Sequence, residues 1–325
     1  MSARSVDMVT DVLVREGRRI RFAVSDNIHA HGPAGPGSPP IWAVNIHGYF
    51  AGGGMYWRES AHLAETLGWR VVNPSLPGFA GSDPMPWEHV NIREIAEQVV
   101  HVLDHVGAGP VVLLGHSMGG AVAIQFADSF PERTLGIIYR DGAATPAWKH
   151  RHGLVVSLLA PFAPDIAGVA DLLAAVVFDS GDLLVGRRLA STLRGLWPDA
   201  RRNIRAMGRT LPVGSMLMAL DLRREVMAAV DRGIPILPVW GCFDEIANPA
   251  TAKEFSVLAD EEILWVPGGH SWMLPRPQGQ GDVLRYLDRG KAFVERMAER
   301  QQEFLDAGIG AAAPAAPPGR MRVVR

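Results

Sequence analysis

Short apolar runs rich in β-branched residues recur along the chain, and between them lie longer stretches in which apolar residues fall three and four positions apart. The first pattern predicts buried strands and the second predicts amphipathic helices. Around Glu16-Gly17-Arg18-Arg19, residues Asp11 to Val24 alternate loosely, which predicts two short strands joined by a tight turn at a sheet edge. Strands then follow at Ile41 to Ile46, Trp69 to Asn73, Val111 to Leu114 and Leu135 to Tyr139. Helices are predicted between them at Tyr56 to Leu67, Asn91 to His105 and Ala121 to Phe130. After a long interval the alternation resumes, with strands at Ile234 to Trp240 and Ile263 to Val266 and helices at Asn248 to Leu258 and Gly281 to Phe304. Strand and helix in strict succession imply an α/β fold with a mostly parallel central sheet and helices on both faces.

The interval is a unit of its own. From Ala143 to Arg232 there is no clear strand pattern, and helical spacing is broken by Pro, Gly and Asp. A stretch of that length builds several short helices rather than a loop, so residues 143–232 are read as a helical cap inserted between a first core part, 1–142, and a second, 233–306. The cap's Leu154, Leu158, Leu172, Leu173, Val176, Val177, Met216 and Met218 suit a greasy substrate pocket collectively, although an apolar helix position taken singly is more often core. Its arginines from Arg187 to Arg209 read as a solvated face. Residues 307–325 contain Ala-Ala-Ala-Pro-Ala-Ala-Pro-Pro and are expected to be disordered. The Gly- and Pro-rich stretch from His29 to Pro40 reads as a loop, and Gly52 to Gly54 as a mobile rim.

Composition narrows the class. A 48% hydrophobic content over 325 residues supports a full core, and a net charge of −2 offers no general attraction to nucleic acid or anionic lipid. The single cysteine, Cys242, excludes an intramolecular disulfide and a thiolate metal cluster. Asp165, Asp171, Pro161 and Pro164 interrupt the most apolar stretch, Gly153 to Phe178, so no membrane span is expected. The N-terminal residues lack a signal-peptide pattern, and a cytoplasmic location is the expectation. His29 and His31, and His101 and His105, have metal-compatible spacing but no third ligand; no metal or cofactor is called for.

The chemistry gathers around Gly115-His116-Ser117-Met118-Gly119, between a predicted strand and a predicted helix. A serine at so sharp a turn is forced into a strained conformation that lifts its hydroxyl from the sheet, and flanking glycines let the backbones approach. Ser117 is the candidate nucleophile, and the Met118 N–H at the helix N-terminus is a candidate oxyanion donor. His47-Gly48 ends an upstream strand where a second donor is expected, which assigns that role to the Tyr49 N–H; the His47 side chain itself reads as a structural hydrogen-bonding group. A serine hydroxyl needs a base. Among 11 histidines, His270 combines a strand-end loop with a position late in the chain. Asp244, at the end of the penultimate strand, gives the order Ser, Asp, His; Asp141, at the end of the strand before the cap, reaches the same edge and is the alternative acid.

These stretches, together with Leu76-Pro77-Gly78-Phe79-Ala80-Gly81-Ser82-Asp83 and Trp240-Gly241-Cys242-Phe243-Asp244, resemble the α/β-hydrolase superfamily, in particular its capped, esterase-like members, from about Asp11 to Phe304. The resemblance departs at Ser75, where members commonly carry aspartate, and at Leu274-Pro275-Arg276-Pro277 after the histidine. Epoxide hydrolases and dehalogenases of that superfamily use an aspartate nucleophile, and Ser117 speaks against both. The expected activity is cleavage of a carboxylic ester of a small, hydrophobic substrate through a Ser-His-Asp triad and an acyl-enzyme. Thioester, lactone or carbon–carbon cleavage by the same residues is the alternative within enzymes, and a non-catalytic binding protein on this scaffold is the alternative outside them.

Overall fold

The computed structural model describes residues 6–29, 40–151, 189–309 and 322–324. Among the described residues nine strands form one sheet in the order β8-β7-β6-β5-β3-β4-β2-β1-β9. The hairpin of β1 (Met8–Arg15) and β2 (Arg18–Ser25) is antiparallel, and β2 joins β4 (Arg70–Pro74) antiparallel. From β4 through β3 (Trp42–Ile46), β5 (Val111–His116), β6 (Thr134–Arg140) and β7 (Ile236–Gly241) to β8 (Leu264–Val266) all pairings are parallel. β3 and β5 are fully buried along their length, which is why they appear in sequence as unbroken apolar runs rather than alternating ones.

Local signals explain where the helices begin and end. Helix α1 (Trp57–Leu67) stops at Gly68, which takes the left-handed conformation of a C-terminal cap. Asn91 caps α2 (Ile92–His105) by accepting from the Glu94 amide at 2.9 Å. α3 (Met118–Ser129) is buried from Met118 through Ala127, so it carries no polar face and forms the centre of the larger core with the inner sides of β3 and β5. Between β6 and β7 come α4 (Leu189–Arg205), α5 (Leu211–Ala219) and α6 (Arg223–Asp231). α7 (Pro249–Ala259), capped by Asn248, connects β7 to β8.

Three expectations meet a different arrangement. The terminal helix is two, α8 (Gly279–Tyr286) and α9 (Asp288–Asp306), broken at Leu287, whose backbone is extended. A Cβ at Gly290 would strike the Val283 carbonyl, so the two helices cross too closely for one continuous cylinder. Composition pointed to disorder from Ala307 onward, yet Arg322–Val324 forms β9, pairing antiparallel with β1 at Met8↔Val324 and Thr10↔Arg322; an unpaired strand edge accepts a short β-branched segment readily. The Gly52–Gly54 run is no loose rim, because Gly53 begins a 3-10 turn (Gly53–Tyr56) and is tied on both sides: its amide donates to Ser75 Oγ (3.2 Å) and its carbonyl accepts from Asn73 Nδ2 (3.1 Å). Leu154, Leu158, Leu172, Leu173, Val176, Val177, His31 and the apolar stretch from Gly153 to Phe178 lie outside the described residues. Met216 and Met218 are described and pack, half-buried, against the larger core. Among the described residues no helix is long and apolar enough to cross a membrane.

Candidate active site

The sheet fixes the site through its register. Ile46 stands beside Gly115, His116 beside Arg140, and Gly241 beside Val266, so the carboxyl ends of β3, β5, β6, β7 and β8 come out at one edge. Successive strands run one way from β3 to β4 and the other way from β5 to β8, which opens a crevice between the ends of β3 and β5. Tyr49 follows one of those ends and Ser117 the other.

Ser117 has φ 54 and ψ −120, a conformation that costs an ordinary residue roughly 1–3 kcal/mol. Three backbone bonds hold it there: its amide donates to the Arg140 carbonyl (3.0 Å), and its carbonyl accepts from Gly120 (2.9 Å) and Ala143 (3.1 Å). Its side chain does not cap α3. The turn works only with bare neighbours, since a Cβ at Gly119 would strike the Ile46 carbonyl and one at Gly115 would meet Gly119 and Gly120. A Cβ at Gly48 would stand 3.1 Å from Ser117 Cβ, so the loop leading into Tyr49 passes directly over the serine.

His270 and Asp244 are brought together. His270 Nδ1 lies 2.9 Å from Asp244 Oδ2, both groups almost fully buried, and the second Asp244 oxygen accepts from the amides of Ile246 (2.7 Å) and Ala247 (2.9 Å). Asp141 does not touch the imidazole in this way. One of its oxygens accepts from the Gly241 amide (2.8 Å) and the other from Trp272 Nε1 (2.7 Å). Burial, and then the neighbouring Asp244 charge, push the Asp141 carboxyl well above the usual carboxylate range, which favours its protonated form. Asp141, Asp244 and His270 set potential metal ligands within 4.8 Å of one another, but all four carboxylate oxygens already accept a hydrogen bond from the protein.

The two other histidines at this edge have structural bonds. His116 Nε2 donates to the His270 carbonyl (2.8 Å), so Nδ1 is the acceptor and the Tyr56 hydroxyl donates to it at 2.6 Å. The Gly48 amide in turn donates to the Tyr56 oxygen (3.4 Å), linking the β3 loop to the backbone of His270. His47 Nδ1 donates to the Gly48 carbonyl (2.7 Å) and Nε2 accepts from Leu76 N (2.9 Å); burial lowers its pKa to about 4, which keeps it neutral.

Beneath the serine lies a network that the sequence did not announce. The fully buried Arg140 donates to Glu59 Oε1 (2.6 Å), to Asn45 Oδ1 (2.8 Å) and to the Leu114 carbonyl (3.2 Å), and Asn45 donates back to Glu59 Oε2 (2.8 Å). A lone arginine at the end of the apolar β6 run was the one signal available. Trp272 and Tyr56 were missed as well, since nothing in an aromatic residue's spacing tells a hydrogen-bonding role from core packing.

The family model of the alpha/beta hydrolase fold matches the chain over residues 43–277. The chain belongs to the α/β-hydrolase fold family. Among its relatives, Lipase LipV of Mycobacterium tuberculosis is 31% identical over 147 residues, which cover 45% of this chain and 51% of the lipase. The AB hydrolase superfamily protein YisY of Bacillus subtilis is 27% identical over 242 residues, covering 73% of this chain and 86% of that protein. A thermophilic esterase from Thermogutta terrifontis has the same fold, with a TM-score of 0.57 at 19% identity over 92% of this chain and all of its own. As an α/β hydrolase, the protein is expected to act on a small molecule.

Proposed function

We propose that this hydrolase cleaves carboxylic esters with a lipophilic acyl or alcohol part, using Ser117 as nucleophile, His270 as base and Asp244 to orient the imidazole. The observation that carries the reading is the 2.9 Å contact of His270 Nδ1 with Asp244, at the sheet edge where the strained Ser117 emerges. Asp244 accepts a hydrogen bond from the Nδ1–H group, which leaves Nε2 as the basic nitrogen. Ser117 Oγ attacks the ester carbonyl as its proton passes to Nε2. The N–H groups of Tyr49 and Met118 receive the oxyanion, Met118 at the positive end of α3. Collapse expels the alcohol with the proton from His270; water, deprotonated by the same nitrogen, then releases the acid. The lipophilic preference rests on the Leu-, Val- and Met-rich composition of segment 143–232, read as an inserted helical cap.

The test is hydrolysis of nitrophenyl esters of increasing acyl length by the native enzyme and by Ser117→Ala. Turnover should rise with chain length and fall by several orders of magnitude, on the order of 10⁴-fold or more, in the variant. A variant with native rates overturns the assignment of Ser117. An enzyme inert toward every ester but active on thioesters, lactones or carbon–carbon substrates, and silenced by Ser117→Ala, keeps the machinery and corrects the bond.

A further inference from the structure

Two loops at the site edge each contain a non-glycine residue in the left-handed region, Phe50 (φ 62) after β3 and Ala80 (φ 49) after β4. Such residues persist only where surrounding contacts over-determine them. Here three of those contacts come from one side chain of the inserted helices. Asn203, near the end of α4 and fully buried, donates from Nδ2 to the carbonyls of Phe50 (2.7 Å) and Ala51 (2.8 Å) and accepts at Oδ1 from the Ala80 amide (2.7 Å). An amide side chain has two N–H donors and a carbonyl, and all are engaged with the two strained loops.

The grip extends along the segment. Asp199, one helical turn earlier, lies against the glycine run: a Cβ at Gly52 or Gly54 would come within 2.7 or 2.5 Å of its Oδ2. Thr210, just before α5, accepts the Tyr49 hydroxyl at its carbonyl (3.1 Å). Residues 199–210 therefore hold positions 49–54 and 80 from above, while the sheet domain holds Gly53 from below through Ser75 and Asn73.

We propose that Asn203 is a positioning residue: it fixes the turn at Phe50 and so aims the Tyr49 N–H at Ser117, making assembly of the oxyanion pocket conditional on α4 being seated. The inference rests on the reading of Tyr49 as an oxyanion donor. It does not require Asn203 to touch substrate. Lifting α4 breaks three hydrogen bonds at once and lets both left-handed turns relax, so a site without its inserted helices keeps its serine and imidazole but loses the alignment of one donor.

Asn203→Asp separates this role from simple packing, because aspartate keeps the size and the acceptor for Ala80 but loses both N–H donors to Phe50 and Ala51, with at most one O–H in their place. Asn203→Ser supplies a second variant should the buried charge hinder folding. On a nitrophenyl ester both variants should lose about 10- to 100-fold in kcat with KM changed less than about threefold, the loss approaching that of an oxyanion donor. Affinity for a trifluoromethyl ketone, which adds to serine as an oxyanion-bearing hemiketal, should fall by the same factor as kcat/KM. Unchanged kcat and unchanged ketone affinity, with only the unfolding temperature lowered, overturn the proposal. Amide hydrogen exchange tests the holding step without any turnover. Faster exchange at residues 49–51 in both variants, with β5 and α3 still protected, supports it, and unchanged exchange there overturns it. A native enzyme inert toward esters that still shows the exchange difference would refute the esterase reading while leaving the grip of Asn203 on the loop established.

Discussion

Replacing Arg140 by Met isolates a buried charge and tests what the network under Ser117 contributes. The arginine is 0% and its partner Glu59 1% exposed, so neither charge has water to fall back on. In Arg140→Met, Glu59 Oε1, Asn45 Oδ1 and the Leu114 carbonyl lose the donor, and Glu59 retains the Asn45 amide. Breaking one side of such a pair costs about 3–5 kcal/mol, whereas replacing both partners by apolar groups costs far less. With an unfolding entropy of about 2.1 cal/mol/K per residue over 325 residues, the melting temperature should fall by roughly 4–7 °C. The double variant Arg140→Met/Glu59→Leu should recover most of that loss. Urea unfolding of the native protein, Arg140→Met and the double variant measures both differences. A gap under about 1 kcal/mol, or a double variant no more stable than Arg140→Met, would refute the view that this pair holds the floor of the site.

Other outcomes follow from the same contacts. Folded His47 has its pKa lowered from 6.5 to about 4, so the unfolded chain binds the extra proton first; stability is fully present above pH 6.5 and should fall by about 3 kcal/mol as pH drops toward 4, with His116 acting in the same direction, as urea midpoints between pH 7 and 4 would show. Asp141 has the opposite sign, its raised pKa adding stability below the unfolded value that is lost as pH climbs through the folded one. Trp272→Phe leaves an Asp141 oxygen without its donor and should cost about 1–3 kcal/mol by denaturant unfolding. Gly119→Ala should abolish ester turnover and lower the unfolding temperature, because its Cβ meets the Ile46 backbone rather than a side chain able to move.

How far the chain could be read depends on where each interaction lives. The strand at Val111, the glycines around Ser117 and the apolar helix after it are neighbours in sequence, so their patterns report one local turn. Asp244 and His270 were approached through topology, since each follows a strand of a parallel sheet and must emerge at the same edge. That argument left Asp141 open as well. The distinction turned on side-chain direction, with Asp244 meeting Nδ1 and Asp141 turned to Gly241 and Trp272. Arg140 and Glu59 lie 81 residues apart on different elements, and no period in either segment carries information about the other. Asn203 presents the same difficulty: in an amphipathic helix a polar residue reads as a solvated one until the loops it binds are in place. The break at Leu287 was hidden because both flanking segments have helical spacing.

On the proposal that Ser117 is the nucleophile, its strained backbone sets folding against reactivity at a single residue. A left-handed backbone there is free to glycine and costly to anything with a Cβ, yet only a residue with a Cβ can carry a hydroxyl into the crevice. A chain selected for stability alone would place glycine at 117. Thermostabilising searches on this scaffold that score folding without turnover should therefore drift toward inert molecules at this position, and a hydrolase that retains serine there records continuing selection for chemistry.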